Sequence, residues 1–163
     1  GGQCGPIIQA ATWGDAMLLA IPFFATEDLD LAVKDAMIGK VVLDAGNPFE
    51  ERDGHAYREV QEAGAGSLTW TQKRLYGVHV VKAFNTLHVS TLQSEAHREG
   101  ERVGVPIASD YEDAIEVASK LVTDCGFDPV VVGDNAASKR FDPGTDVWNS
   151  GMTAAQLREA LGL

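Results

Sequence analysis

The sequence predicts an α/β fold in which a mostly parallel sheet is flanked by helices. Three short apolar runs carry this prediction, at residues 17–21, 41–43 and 78–81. Runs of this length fit strands that are buried on both faces, as in a parallel sheet. Each run stops abruptly, at Pro22, Asp44 and Lys82 respectively. Because ligands of open α/β sheets bind beyond the carboxyl ends of the strands, these endings predict one shared crevice.

Composition limits the classes of protein to which the chain can belong. The 163 residues are 45% hydrophobic and 23% charged, which is typical of one globular domain spanning residues 1–163. A net charge of −11 argues against nucleic acid or an anionic membrane as the main partner. No apolar run approaches the roughly 20 residues of a membrane span. Cys4 and Cys125 form no paired motif, and we expect free thiols in a cytoplasmic protein.

The amino-terminal half predicts a strand–helix–strand unit. A short helix over Ile7–Trp13 precedes the strand Met17–Ile21. A helix is then expected over Glu27–Met37, because apolar residues recur there at helical spacing and acidic residues fill its first turn. The second strand, Lys40–Leu43, follows at once. Such a unit crosses over with a right hand.

The middle of the chain predicts two helices and the third strand. Residues 47–54 are expected to form a loop, and its charged run, Glu50–Asp53, is either a solvated turn or a lid over the crevice. Helices are expected over residues 55–63 and 67–76, with Gly64-Ala65-Gly66 between them. The third strand, Val78–Val81, comes next.

The carboxyl-terminal half predicts two more strands and two capped helices. The strands are Gly104–Ala108 and Asp128–Val132, and Leu87–Arg98 is a helix or a loosely ordered segment. Ser109 with Glu112 matches a capping box before the clearest amphipathic helix, which ends at Gly126. Residues 141–152 are expected to be irregular. A second capping box, Thr153 to Gln156, opens a last helix to Leu161.

Several familiar catalytic and binding patterns are missing from the sequence. Residues 64–69 resemble a dinucleotide glycine loop only in part, because Thr69 replaces the third glycine and a helix precedes it. The glycines of residues 1–5 follow no strand. The four histidines, His55, His79, His88 and His97, show no metal-ligand spacing. No serine-hydrolase or cysteine–histidine pattern is present.

Candidate ligand contacts come from the strand ends. Lys82 is either a surface lysine or a contact for an anion at the lip of the crevice. Asn47 and Asn85 suit turns, but the same residue type beyond two strand ends favours a ligand pocket. The tryptophans are expected in the core or at an interface: Trp13, Trp70 and Trp148.

The strand-end motifs together resemble one enzyme family. The stretches concerned are Leu18–Pro22, Gly39–Pro48, Val80–Thr86 and Gly126–Gly133. They are similar to the NADPH-dependent coenzyme F420 reductase family, and the related cytosolic domain of STEAP metalloreductases carries a similar Lys-Ala-Phe-Asn-Thr run. The similarity covers about residues 14 to 135.

The resemblance implies a Rossmann-like fold that binds NADP and moves a hydride between NADP(H) and coenzyme F420 or a flavin. Such transfer needs stacked rings more than an acid or base. The matching residues would line the nicotinamide end of the crevice: Ile21, Pro22, Asn47, Pro48, Ala83, Phe84 and Asn85. The small-molecule cofactors would then be the main partners, and the family often forms homodimers.

One departure from the family pattern leaves alternatives open. Family members begin with a strand, a glycine loop and a second strand, so we expect the first βαβ nucleotide-binding unit to be absent from these 163 residues. The strand Met17–Ile21 would then be an exposed edge. The alternatives are a non-catalytic Rossmann remnant that acts as an interaction domain, and an NADPH-dependent flavin or metal reductase. The residues do not identify the electron acceptor.

Overall fold

The computed structural model describes residues 2–163 and contains one five-stranded sheet with helices packed against it. The strands are β1 (Ala16–Leu19), β2 (Val41–Asp44), β3 (His79–Lys82), β4 (Gly104–Ala108) and β5 (Asp128–Gly133). The helices are α1 (Ile7–Trp13), α2 (Leu31–Met37), α3 (Glu50–Ala63), α4 (Ser67–Arg74), α5 (Val89–Ser94), α6 (Glu112–Asp124) and α7 (Ala154–Leu161). This architecture confirms the predicted Rossmann-like α/β class.

The sheet has the strand order β1-β2-β3-β4-β5 and is mostly parallel. The first three strands run parallel to one another, and so do β4 and β5. The two sets meet antiparallel at a single residue pair, Lys82 with Ala108. The carboxyl ends of β1, β2 and β3 therefore lie side by side, as the sequence predicted.

Apolar burial on both faces explains why the strands read as continuous hydrophobic runs. Every residue of β2 and of β4 is buried. On one face, α6 packs Ala114, Ala118 and Val122 against β2, β3 and β4. On the other face, α1, α2 and α4 cover Val42 and Val80. Full burial of a Val or Leu side chain stabilises the fold by about 1.5–3 kcal/mol each.

Two predicted elements have different bounds in the structure. Glu50–Asp53 is the first turn of α3 and neither a solvated loop nor a lid, because acidic side chains are favourable at a helix amino terminus. The predicted helix over Glu27–Met37 begins only at Leu31, and a 3₁₀ turn, Phe23–Thr26, precedes it.

The two predicted helix caps had different outcomes. Thr153 and Gln156 form the predicted capping box at α7. The cap predicted at Ser109 was wrong, since α6 begins after Tyr111 without a side-chain cap. The Ser109 hydroxyl instead donates to the carbonyl of Val80 at 2.6 Å and accepts from the Tyr111 amide. It therefore fastens the end of β4 to β3.

The glycine turn between α3 and α4 serves packing. Gly66 has a φ of +77°, and a Cβ atom there would clash with the Ser138 hydroxyl and lie 2.7 Å from the Lys139 amide nitrogen. Only glycine fits this close approach of two backbones. The partial glycine motif is thus a turn between two helices, α3 and α4, and not a dinucleotide-binding loop.

Strand β1 forms one edge of the sheet within residues 2–163. Leu18 is 54% exposed there, and Trp13 of the adjoining α1 is 88% exposed. An apolar edge of this kind is a pairing surface. No helix in the described residues is both long and apolar enough to cross a membrane.

Candidate functional site

The loops after β2 and β3 are joined by two asparagines. The Asn47 side-chain nitrogen donates to the Asn85 backbone carbonyl at 2.8 Å. The Asn85 side-chain nitrogen donates to Asn47 Oδ1 and to the backbone carbonyl of Phe141, both at 3.2 Å. The sequence placed both residues on one pocket, and the structure brings them into direct contact.

The remaining polar atom of this pair has no partner. Asn85 is only 4% exposed, and its Oδ1 is buried without a hydrogen-bond donor among residues 2–163. The assignment of oxygen and nitrogen follows from Phe141, whose carbonyl can only accept. A buried unpaired acceptor costs about 1–3 kcal/mol. Asn85 Oδ1 is therefore an acceptor that lacks a partner among the described residues and is buried from solvent in this structure.

A carboxyl-terminal segment closes one side of the crevice. The Trp148 indole nitrogen donates to the Asn85 carbonyl at 3.1 Å, and the Asn149 amide donates to the Thr86 carbonyl at 3.0 Å. Phe49 meets Trp148 edge to face, with ring centroids 6.0 Å apart. We call Phe49 and Trp148 the aromatic rim. Trp148 was expected in the core or at an interface, and its sequence position gave no signal for this site.

Unusual backbone conformations occur on both sides of the same contact. Phe84 has a φ of +64° and Asn149 a φ of +58°. Such left-handed conformations of non-glycine residues cost of order 1–3 kcal/mol and often mark functional sites. At Phe84 the turn carries the chain from the buried strand β3 to Asn85.

Lys82 lies below the crevice and does not face it. Its side chain is 0% exposed, and its ammonium contacts Asp44 Oδ2 at 3.1 Å and the Gly46 carbonyl. Asp44 also accepts from the Thr71 hydroxyl at 2.8 Å and the Gly46 amide at 2.7 Å. In this structure the Lys82 ammonium is therefore buried and paired within the protein.

A second carboxylate lies near this ion pair. Asp142 accepts from the Ser67 amide at 2.8 Å and from the Ser67 hydroxyl at 2.6 Å. Burial raises the pKa of Asp142, while the charge of Lys82 and the two bonds from Ser67 act in the opposite direction. The charge of Lys82 thus acts on Asp142 as well, although the ion pair of Lys82 is with Asp44.

Asp53 holds together the loops that follow β1 and β2. Its carboxylate accepts from the Phe24 amide at 3.2 Å and the Phe49 amide at 2.7 Å. Burial raises the pKa of Asp53, but the bonds from Arg52 and these two amides outweigh it and leave the pKa below its usual value. Sequence reasoning did not predict this role of Asp53. The sequence feature that could have indicated it is an acidic residue in the first turn of a helix that begins soon after Asn47-Pro48.

The other predicted contacts lie around the asparagine pair. Ile21 is half-buried and Pro22 exposed at the end of β1. Pro48 is buried beside Asn47, and Ala83 is fully buried with its amide 3.4 Å from the Asp44 carbonyl oxygen. Among the described residues, no group of three or more histidine, cysteine, aspartate or glutamate side chains is placed to hold a metal ion.

The sequence is similar to two curated proteins. No protein-family model matches the sequence. The chain is 30% identical over 116 residues to the F420-dependent NADP reductase of Methanothermobacter thermautotrophicus, a match that covers 69% of this chain and 49% of that protein. It is 39% identical over 62 residues to protein YjhV of Escherichia coli, covering 38% of this chain and 45% of that protein. The chain is thus similar to an F420-dependent NADP reductase, in agreement with the resemblance carried by the strand-end motifs.

Solved structures share the fold of this chain. A hypothetical protein from Sinorhizobium meliloti superposes with a TM-score of 0.74 at 26% identity, over 90% of this chain and 70% of that one. A candidate F420-dependent NADP reductase from an Arthrobacter species gives 0.61 at 16% identity, over 97% and 69%. An imine reductase from Myxococcus stipitatus in complex with NADP⁺ gives 0.56 at 13% identity, over 97% and 44%.

The chain spans about half the length of the curated relatives that it matches. Beyond the ends of β2 and β3 the structure has the asparagine pair and the aromatic rim, and beneath them lies the buried ion pair. These features are the structural basis for the function proposed below.

Proposed function

We propose that the chain forms the nicotinamide-binding part of an oxidoreductase that moves a hydride between NADP(H) and coenzyme F420 or a flavin-like acceptor. The observation that carries this proposal is the buried, unpaired Asn85 Oδ1 beyond β3. It lies where ligands of open α/β sheets bind. A buried acceptor with no donor fits a ligand that presents an N–H group there.

The free acceptor fits the carboxamide of nicotinamide. The NH₂ of that group can donate a hydrogen bond to Asn85 Oδ1, while Asn47 fixes the orientation of the Asn85 amide. Ile21-Pro22 and Pro48 would supply the apolar neighbours of the ring. When bound, the reduced nicotinamide supplies a hydride. The chain contributes position and exclusion of water, which is the protein's usual share of cofactor chemistry.

The charged side chains near the proposed reacting centre are paired with other groups of the protein. Lys82 and Asp44 neutralise each other beneath it, and Asp53 is bound to loop amides and to Arg52. Transfer of a hydride between two rings requires no proton donor at the transferred carbon, so this pairing of the nearby charged groups is compatible with the proposed reaction.

The phosphates of a dinucleotide are usually bound by a separate structural element, a glycine-rich turn at the amino terminus of a helix. In residues 2–163 no strand is followed by a three-glycine turn and a helix, which is the usual pyrophosphate cradle. We therefore expect residues 1–163 alone to bind NADP weakly. Low-micromolar affinity measured by calorimetry on these residues alone would contradict that expectation.

The test of the proposed function is NADPH binding by the full-length protein and by its Asn85→Ala variant. Removing the amide should weaken NADPH affinity about tenfold, because one buried hydrogen bond to the ligand is worth roughly 1–2 kcal/mol. Asn135→Ala is the matched control, since Asn135 is also 4% exposed but lies beyond β5. Equal affinity in wild type and Asn85→Ala would remove the proposal.

NADPH oxidation assays with different acceptors, together with the binding measurement, separate the rival functions. NADPH oxidation with flavin or ferric iron but never with F420 would support a flavin or metal reductase. Absence of NADPH binding would favour an interaction domain, for which the exposed Trp13 and Leu18 offer an apolar surface. The proposal further includes a homodimer in the cytoplasm, and light scattering on the purified protein tests its mass.

A further inference from the structure

We propose that Asp142 is a positioning residue, which orients the side-chain amide of Asn85 through the backbone carbonyl of Phe141. The inference rests on the proposed function and adds to it a residue that helps to decide which end of that amide faces the ligand. Asp142 lies between the 3₁₀ turn Asn135–Arg140 and the irregular segment that carries Trp148.

The carboxylate of Asp142 is bound to the first residue of α4. The Ser67 amide donates to one of its oxygens at 2.8 Å, and the Ser67 hydroxyl donates to the other at 2.6 Å. The first amides of a helix have no partner inside it, and Gly66 before α4 provides no side-chain cap. Because Ser67 is fully buried, Asp142 is attached to a fixed part of the core.

One peptide bond connects this attachment to Asn85. The carbonyl of Phe141 shares a peptide plane with the amide of Asp142, and it accepts from the Asn85 side-chain nitrogen at 3.2 Å. The buried Phe141 side chain holds one side of that peptide, and the contact with Ser67 holds the other. The direction of the carbonyl is therefore set from both sides.

This carbonyl affects how the Asn85 amide is oriented. A carbonyl can only accept, so it keeps the Asn85 nitrogen on its own side and leaves Oδ1 as the end without a partner. The other acceptor for that nitrogen is Asn47 Oδ1, which belongs to a side chain and can itself turn. A displaced Phe141 carbonyl would leave the Asn85 amide with this one partner.

The same residue also supports the contact between Trp148 and Asn85. The Asp142 carbonyl accepts from the Thr145 amide at 3.3 Å and from the Thr145 hydroxyl at 3.0 Å. The Thr145 carbonyl accepts in turn from the Trp148 amide at 3.2 Å. These turns place the indole that donates to the Asn85 backbone carbonyl, so both contacts of this segment with Asn85 depend on Asp142.

The first measurement follows the Asn85 side-chain amide by nuclear magnetic resonance in the full-length protein without a ligand. Its signals are identified by their absence in Asn85→Ala. In Asp142→Ala they should shift, and their protons should exchange with water about tenfold faster, because the bond to Phe141 is loosened. Unchanged signals and exchange rates would overturn the positioning role.

The second measurement compares binding of NADP⁺ with binding of its 3-acetylpyridine analogue, in which a methyl ketone replaces the carboxamide. Wild type should bind NADP⁺ about tenfold more tightly, because the ketone has no N–H group for Asn85 Oδ1. In Asp142→Ala the Asn85 amide can turn its nitrogen to the ketone, and the ratio should fall to about threefold or less. A ratio as large as that of wild type would contradict the inference.

Two variants of the contact itself distinguish orientation from a general loss of stability. Asp142→Asn keeps both bonds, since its oxygen can accept from the Ser67 amide and its nitrogen can donate to the Ser67 hydroxyl. Both measurements should then return wild-type values, and failure of this rescue counts against the inference. Ser67→Ala removes the hydroxyl bond alone and should change both measurements in the same direction as Asp142→Ala, which provides the test if Asp142→Ala does not fold.

Asp134→Ala is the matched control. Asp134 caps the other end of the same 3₁₀ turn, where it accepts from the Ala137 amide at 3.0 Å. Its loss should lower the thermal midpoint but leave the Asn85 signals and the binding ratio unchanged. If Asp134→Ala altered them as much as Asp142→Ala, the effect would belong to the turn as a whole and the positioning role would be overturned.

The outcomes also separate this inference from the proposed function. A binding ratio that is lost in Asn85→Ala but kept in Asp142→Ala keeps the function and overturns the positioning role. Equal affinity of wild type for NADP⁺ and the analogue removes the function, and the amide signals then decide by themselves whether Asp142 orients Asn85.

Discussion

Two polar clusters lie three residues apart at the end of β3, and they differ in one respect. In the Lys82 cluster, formed by Lys82, Asp44, Gly46 and Thr71, the ammonium and both carboxylate oxygens have partners. In the Asn85 cluster, formed by Asn85, Asn47 and Trp148, the oxygen Asn85 Oδ1 has none. We call the Lys82 cluster the closed cluster, because these atoms are all paired, and the Asn85 cluster the open cluster, because one of its oxygens is not.

The difference follows from charge. A buried ion costs several kcal/mol unless it is paired, so a lysine at 0% exposure requires Asp44. A neutral amide can keep one oxygen free at a cost of about 1–3 kcal/mol. We infer that Lys82 supports the fold and that Asn85 serves the ligand, although both belong to one sequence motif.

The largest expected effect on stability comes from removing the lysine of the closed cluster. Lys82→Met leaves the Asp44 carboxylate buried without a cation and should lower the free energy of unfolding by about 3–5 kcal/mol. Urea denaturation of wild type and variant measures this difference in the free energy of unfolding. The double variant Lys82→Met with Asp44→Asn should recover much of the loss, because no uncompensated charge remains.

Lys120→Met provides the comparison for the Lys82 variant. Lys120 pairs with Asp124 on the exposed face of α6, where 72% of the lysine side chain is exposed. Its loss should change stability by no more than about 0.5 kcal/mol. If Lys82→Met were as mild as Lys120→Met, the closed cluster would have no special role in the fold.

Sequence reasoning placed the open cluster better than the closed one. The apolar runs predicted the strands. A repeated asparagine beyond two of them predicted that Asn47 and Asn85 lie on one pocket, and the structure brings the two into contact. The burial of Lys82 could not be predicted, because it depends on Asp44 in the neighbouring strand.

Two other features depended on contacts between segments distant in the chain. Trp148 reaches Asn85 across 63 residues, and Asp53 reaches Phe24 across 29. Local patterns of hydrophobicity carry no information on such pairs. The irregular segment 141–152 was correctly expected to lack regular structure, but its role in closing the crevice was visible only in the fold.

A smaller effect is expected from the second carboxylate beside the closed cluster. Because burial raises the pKa of Asp142, the folded state retains a proton that the unfolded state has already released. The contribution of Asp142 to stability is complete below about pH 3.9 and is lost as the pH rises through the raised pKa. Asp142→Asn should therefore gain stability relative to wild type between pH 3 and pH 7, measured by urea denaturation.

Asp53→Asn supplies a control of opposite sign. The pKa of Asp53 is lowered, so its contribution to stability is present above about pH 3.9 and is lost on acidification. Relative to wild type, Asp53→Asn should become less stable as the pH rises. Parallel pH profiles for the two variants would contradict both assignments.

The smallest effect concerns the backbone turn at Asn149, which follows Trp148 of the Asn85 cluster. Asn149 is exposed, and only its amide bonds to Thr86, so its side chain matters through its φ of +58°. Glycine adopts this conformation freely, and Asn149→Gly should change the free energy of unfolding by a few tenths of a kcal/mol. Alanine is strained there and should cost about 1 kcal/mol. If the two variants were equally stable by urea denaturation, the left-handed turn would not be what holds Trp148 against Asn85.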